Sequence, residues 1–117
     1  MPKYAILGGY TTESWKALID NPETRKDAIN KAAKEVGGSV ETLYWSFGED
    51  DFIAIADIPD DNSAAALAVG VASSGRLRNL RTIKLITADD FVELLGKAKA
   101  VTAAYAPPGS RQAIGVG

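Results

Sequence analysis

The chain has 117 residues, of which 46% are apolar and 24% charged, with a net charge of -2; this fits one globular domain and excludes a disordered or fibrous chain. The slightly acidic balance lacks the concentrated basic surface that phosphate neutralisation demands, so nucleic acid is not an expected partner. There is no Cys and no His, which excludes thiolate nucleophiles, disulfides, Cys-ligated zinc, His general bases and Ser-His-Asp triads.

Tyr4-Ala5-Ile6-Leu7 is apolar on both alternating faces and precedes Gly8-Gly9, which reads as a buried strand with a glycine exit. Thr11 to Ile19 offers a short helical turn carrying Trp15, and Asn21-Pro22 restarts the helix, because Asn caps well and Pro suits the first helical position. That second helix is expected from Pro22 to Val36, ending at Gly37-Gly38. Val40 to Phe47 is rich in β-branched and aromatic residues and predicts a strand, with Val40, Thr42, Tyr44 and Ser46 on one face and Leu43, Trp45 and Phe47 on the other. The turn Gly48-Glu49-Asp50-Asp51 leads to a third strand, Phe52 to Ile58, making an antiparallel hairpin closed by Pro59. Asp60, Asp61 and Asn62 are candidate caps for an Ala-rich helix from Ala64 to Ala72, stopped by Gly75. A last strand is expected from Leu80 to Ile86, and Thr87 with Asp90 resembles a capping box before a short helix, Phe91 to Lys97.

The order β-α-β-β-α-β predicts an α+β, ferredoxin-like fold, with a four-stranded antiparallel sheet carrying its helices on one face. Residues 1–98 form this domain, and residues 99–117 read as an Ala/Pro/Gly-rich flexible tail, within which Ile114 and Val116 offer a short docking peptide. A sheet with one wet face alternates apolar and polar residues, yet Phe52 and Ile58 lie opposite Ile53 and Ile55, and Trp45 opposite Tyr44. Both faces therefore look buried, and a sheet-to-sheet homodimer is the economical way to cover the second. The alternative is the last helix and tail folding back over it. The longest apolar run, Ala64 to Ala72, is too short to cross a bilayer, and the start of the chain is too short for a signal segment; the reading is a cytoplasmic protein without membrane partners.

The first strand followed by Tyr10-Thr11, the helix ending in Gly37-Gly38, Leu43-Tyr44-Trp45, the Gly48 to Asp51 turn, Ile58-Pro59-Asp60-Asp61, Arg81-Thr82 and Thr87 to Phe91 together resemble the GYD-domain family of the dimeric α-β barrel group. The resemblance covers most of residues 3–97 and implies a ferredoxin-like fold that pairs through its sheets. It implies no function. The family's Gly-x-Tyr-Asp turn is matched at Gly48 and Asp51, with Asp50 in place of the Tyr.

Three groups can carry chemistry. Tyr10, Trp15, Tyr44 and Trp45, with Arg81, are candidate walls of a cleft for a planar apolar ligand, although such residues also serve as core and interface. The carboxylates Asp50 and Asp51 beside Glu49 can hold a hard cation or a proton, but consecutive acids lack the spacing of a calcium loop, and a solvated turn with no metal is the reading adopted. Arg76, Arg78 and Arg81 can grip an anion, or simply complement a helix end and keep a sheet edge soluble. The expectation is a non-catalytic oligomeric module binding a small apolar ligand or a protein, without a cofactor. The alternatives are a cofactor-independent enzyme acting on a small apolar substrate, and a protein targeted to an assembly through its C-terminal tail.

Overall fold

The computed structural model describes residues 1–109; the docking peptide expected around Ile114 and Val116 lies outside the described residues. The chain divides into one unit of residues 1–85 and a second from Ile86 onward. The first unit holds β1 (Lys3–Tyr10), α1 (Thr12–Asp20), α2 (Lys26–Lys34), β2 (Ser39–Trp45), β3 (Phe52–Asp57), α3 (Asp61–Ala72) and β4 (Leu77–Lys84), and the second holds α4 (Ala88–Ala104). The sheet order is β2-β3-β1-β4, antiparallel throughout. This is the α+β, ferredoxin-like arrangement that the element order predicts.

Helices α1 to α3 share one face of the sheet. The core between them consists of Tyr4, Ala33, Ala56, Ile58, Ala64 and Leu67. Alanines on both facing surfaces let α2 and α3 approach the strands closely, and Ile58 is fully enclosed, with 0% exposure. Among the described residues no helix is long and apolar enough to cross a membrane.

Several boundaries differ from expectation, each for a local reason. Asn21 does not start a helix but ends one: as the C-cap of α1 its N–H donates to the Ala17 carbonyl, and α2 begins only at Lys26, after Arg25 in a left-handed conformation (φ 66°). Gly8 and Gly9 are not an exit but lie within β1, paired with Leu80 and Asn79 of β4. A Cβ on Gly8 would stand 2.8 Å from the Asn79 carbonyl oxygen and from the Phe52 ring, so close packing explains that glycine. Because β1 runs on to Tyr10, β4 begins at Leu77 and not Leu80, which places Arg78 in the strand. A bulge between Val40 and Thr42 puts Val40 on the same face as Leu43 and Trp45, against the strict alternation expected.

The second unit starts as anticipated, with the Thr87 hydroxyl oxygen accepting from the Asp90 N–H at 3.1 Å. Its helix continues past Lys97 to Ala104, since Ala98, Ala100, Ala103 and Ala104 are strong helix formers.

Candidate functional site

The start of α1 is fixed by hydrogen bonds before any aromatic contact is made. The Thr11 hydroxyl oxygen accepts from the Ser14 N–H at 3.2 Å, and the Ser14 hydroxyl donates to the Arg76 carbonyl at 2.7 Å. This ties α1 to the segment entering β4 and turns Trp15 back over the sheet, where its ring centroid lies 5.5 Å from Tyr10 and 6.1 Å from Trp45. Phe52 completes the cluster, 5.6 Å from Tyr10. Such pairs contribute roughly 0.5–1.5 kcal/mol each beyond their buried area. Beside them, Leu18, Pro22 and Phe47 join Trp15 and Trp45 in lining a surface groove of about 460 Å³.

Of the candidate cleft residues, the structure brings Tyr10, Trp15 and Trp45 together and separates Tyr44 and Arg81 from them. Tyr44 pairs with Ile53 and Trp45 with Phe52, so Tyr44 projects from the opposite face of the sheet and is 66% exposed. Arg81, opposite Leu7 on β4, is on that face too. Sequence reasoning does not find Phe52 as a member of the cluster, because its role depends on cross-strand register, which no local spacing encodes.

The Gly48 to Asp51 turn is not a solvated run of acids. Asp50 accepts from the Arg81 guanidinium at 2.6 Å and from the Asn79 amide at 3.3 Å. Arg81 first, with Asn79 and Arg78 adding, holds the Asp50 carboxyl below the ordinary carboxylate value. Asp51 accepts the Tyr10 N–H at 2.9 Å, where a bulge between Gly9 and Tyr10 breaks the β1–β4 ladder, while its own N–H donates to the Gly8 carbonyl at 2.7 Å. Arg78 donates to the Glu49 carbonyl at 2.6 Å. The turn is thus a latch binding the β2–β3 hairpin to β1 and β4. An ionised, arginine-paired Asp50 lacks the raised pKa that acid-base work at neutral pH requires. Among the described residues no three acidic side chains converge as a metal site would need.

The sheet face opposite α1 to α3 has an apolar centre made by Ala5, Leu7, Ile53 and Ile55, extended by Tyr44 on β2 and Ile83 on β4. Charged groups flank it at both ends. At one end Lys3 bonds Asp57 at 2.9 Å and Glu41 at 3.0 Å; at the other lie Arg81 and Asp50. Each of these charges already has a partner within its own chain.

The GYD domain family matches this chain over residues 4–95, and the chain belongs to that family. A relative from Thermus thermophilus, a glutamine synthetase and cystathionine beta-lyase binding protein, is 25% identical over 95 residues, covering 81% of this chain and 99% of the relative.

Proposed function

We propose that this GYD-domain protein is a non-catalytic protein-binding module of the cytoplasm: two copies pair through their open sheet faces, and the pair docks on a metabolic enzyme of the glutamine synthetase kind. The observation that carries the reading is the open face itself, an apolar centre bounded by ion pairs that close within one chain. Charges already neutralised by neighbours gain little from a partner's charges, so such a surface is suited to an apolar, self-complementary contact. Tyr44 at 66% and Ile83 at 44% exposure are the side chains with most to gain from burial there. The enzyme partner is supported by the name of the Thermus relative, nearly all of whose length this chain matches.

Light scattering on the purified full chain tests the first half, with an expected mass of twice 12.3 kDa. A monomer that persists at high concentration overturns self-pairing. Adding purified glutamine synthetase tests the second half: co-elution supports the adaptor reading, and separate elution at micromolar concentrations removes it while leaving the dimer intact.

The cofactor-independent enzyme gains no support from the acids, since Asp50 is locked to Arg81 and Asp51 to the Tyr10 N–H. Docking through the tail is a narrower form of the same proposal. Deleting the residues after Ala100 should abolish enzyme binding if the tail carries it, and unchanged binding sinks that version.

A further inference from the structure

Between the sheet and helices α2 and α3 lies a partly open chamber of about 150 Å³, lined mainly by Ile6, Ile29, Phe52, Leu67, Val71 and Leu80. Interiors are ordinarily packed to crystal density, so an apolar void of this size leaves its walls without contacts and favours an apolar occupant. A dry cavity of about 150 Å³ lined by Leu, Ile and Phe accommodates one benzene ring.

One end of the chamber is different. Tyr10, Arg25 and Arg76 line it and also line an adjoining cavity of about 300 Å³, whose walls include Ser14, Asn21 and Glu23. These three side chains stand where apolar space meets polar space. Arg25 is paired with Glu23, and Arg76 with Glu13 at 2.7 Å. A guanidinium has five N–H donors in a planar fork, and one Nη–H to a single carboxylate oxygen leaves most of them available.

Arg25 is also the one non-glycine residue with positive φ among the described residues, at 66°, and its side chain makes no capping hydrogen bond to α2. Glycine would occupy that backbone position without strain, whereas a residue with a side chain is strained there. What the arginine adds in return is a cation at the mouth of the chamber.

We infer that the chamber binds a small carboxylic acid with an apolar body the size of one aromatic ring: the ring fills the space among Ile29, Leu67 and Val71, and the carboxylate takes the free donors of Arg25 and Arg76, displacing Glu23 where needed. This site lies on the helical side of the sheet and is independent of the open face, so its failure does not touch the protein-binding reading.

Phenylacetate is a suitable probe and 2-phenylethanol its uncharged counterpart. Each is titrated into the full chain while the methyl NMR signals of Ile29, Leu67 and Val71 and the combined fluorescence of Trp15 and Trp45, which both abut Tyr10, are followed. The expected result is saturable movement of those methyl signals, with the acid bound at least tenfold more tightly than the alcohol. Arg25→Gly should melt at the wild-type temperature or above it, because glycine accepts the backbone conformation, yet bind phenylacetate at least tenfold more weakly while leaving the alcohol unchanged. Arg76→Gln, which leaves the backbone of α2 alone, should weaken the acid selectively as well. Absence of saturable shifts, equal affinity for acid and alcohol, or wild-type binding of phenylacetate by both variants overturns the inference.

Discussion

The two faces of the sheet are built from the same strands yet perform opposite tasks. On the helical face, small residues dominate: Ala33, Ala54, Ala56 and Ala64 let backbones close up around Tyr4, Ile58 and Leu67 until almost nothing is exposed. On the open face, larger apolar residues stand between ion pairs and keep part of their surface accessible. The difference teaches that apolarity alone does not define a core. What separates the faces is whether helices of the same unit come near enough to remove water, which the alanine pattern of α2 and α3 arranges for one face only.

The largest expected effect lies on the helical face. Ile58→Ala should lower stability by about 3 kcal/mol, since a fully enclosed side chain loses its transfer energy and leaves a void; urea unfolding measures it, and a loss below about 1 kcal/mol would mean that the enclosure relaxes easily. Next comes the latch. Asp51→Ala leaves the Tyr10 N–H without an acceptor beneath the turn and should cost about 1–3 kcal/mol, read as a lower urea midpoint together with faster amide exchange at Tyr10. On the open face, Tyr44→Asp should change monomer stability by no more than about 0.5 kcal/mol while halving the mass seen by light scattering. A stability loss as large as that of Ile58→Ala would erase the distinction between the faces.

The smallest expected effects are those of pH. Asp61 is held below its ordinary carboxylate value first by the hydrogen bond from Tyr4 and then by Lys84, as Asp50 is by Arg81. Depressed folded values give stability that is full above the unfolded value near pH 3.8 and lost as pH falls through the lower folded value. Stability should therefore hold to the edge of that range and decline below it, with Asp50→Asn flattening the decline. Tyr4 is the opposite case: its hydroxyl donates to Asp61 at 2.5 Å, and that bond raises its pKa from 10.0 to about 12. Its contribution is full below pH 10.0 and disappears as pH rises through about 12, which tyrosinate absorbance follows directly. Tyr4→Phe should remove that alkaline step, and an unchanged profile would show that the bond to Asp61 is not made in solution.

The sequence by itself determined the element order, because the alternation of Phe52 to Ile58 and the glycine stops at Gly37 and Gly75 are local signals with local physical causes. It also determined the capping of α3 and α4, where Asp60 and Thr87 meet the N–H groups of Ser63 and Asp90 within one turn. The composition of the aromatic cluster was legible only in part: Tyr10, Trp15 and Trp45 stood out as residue types, whereas Tyr44, their neighbour in sequence, belongs to the other face. The place of Phe52 in that cluster, the conversion of an acidic turn into a latch, the left-handed Arg25 and its position between two cavities were decided by the tertiary structure. The first two depend on strand register or on a bulge. A shift of one residue, made by the unpaired Glu41 on β2 and Arg78 on β4, moves a side chain from one face of the sheet to the other without changing any local pattern.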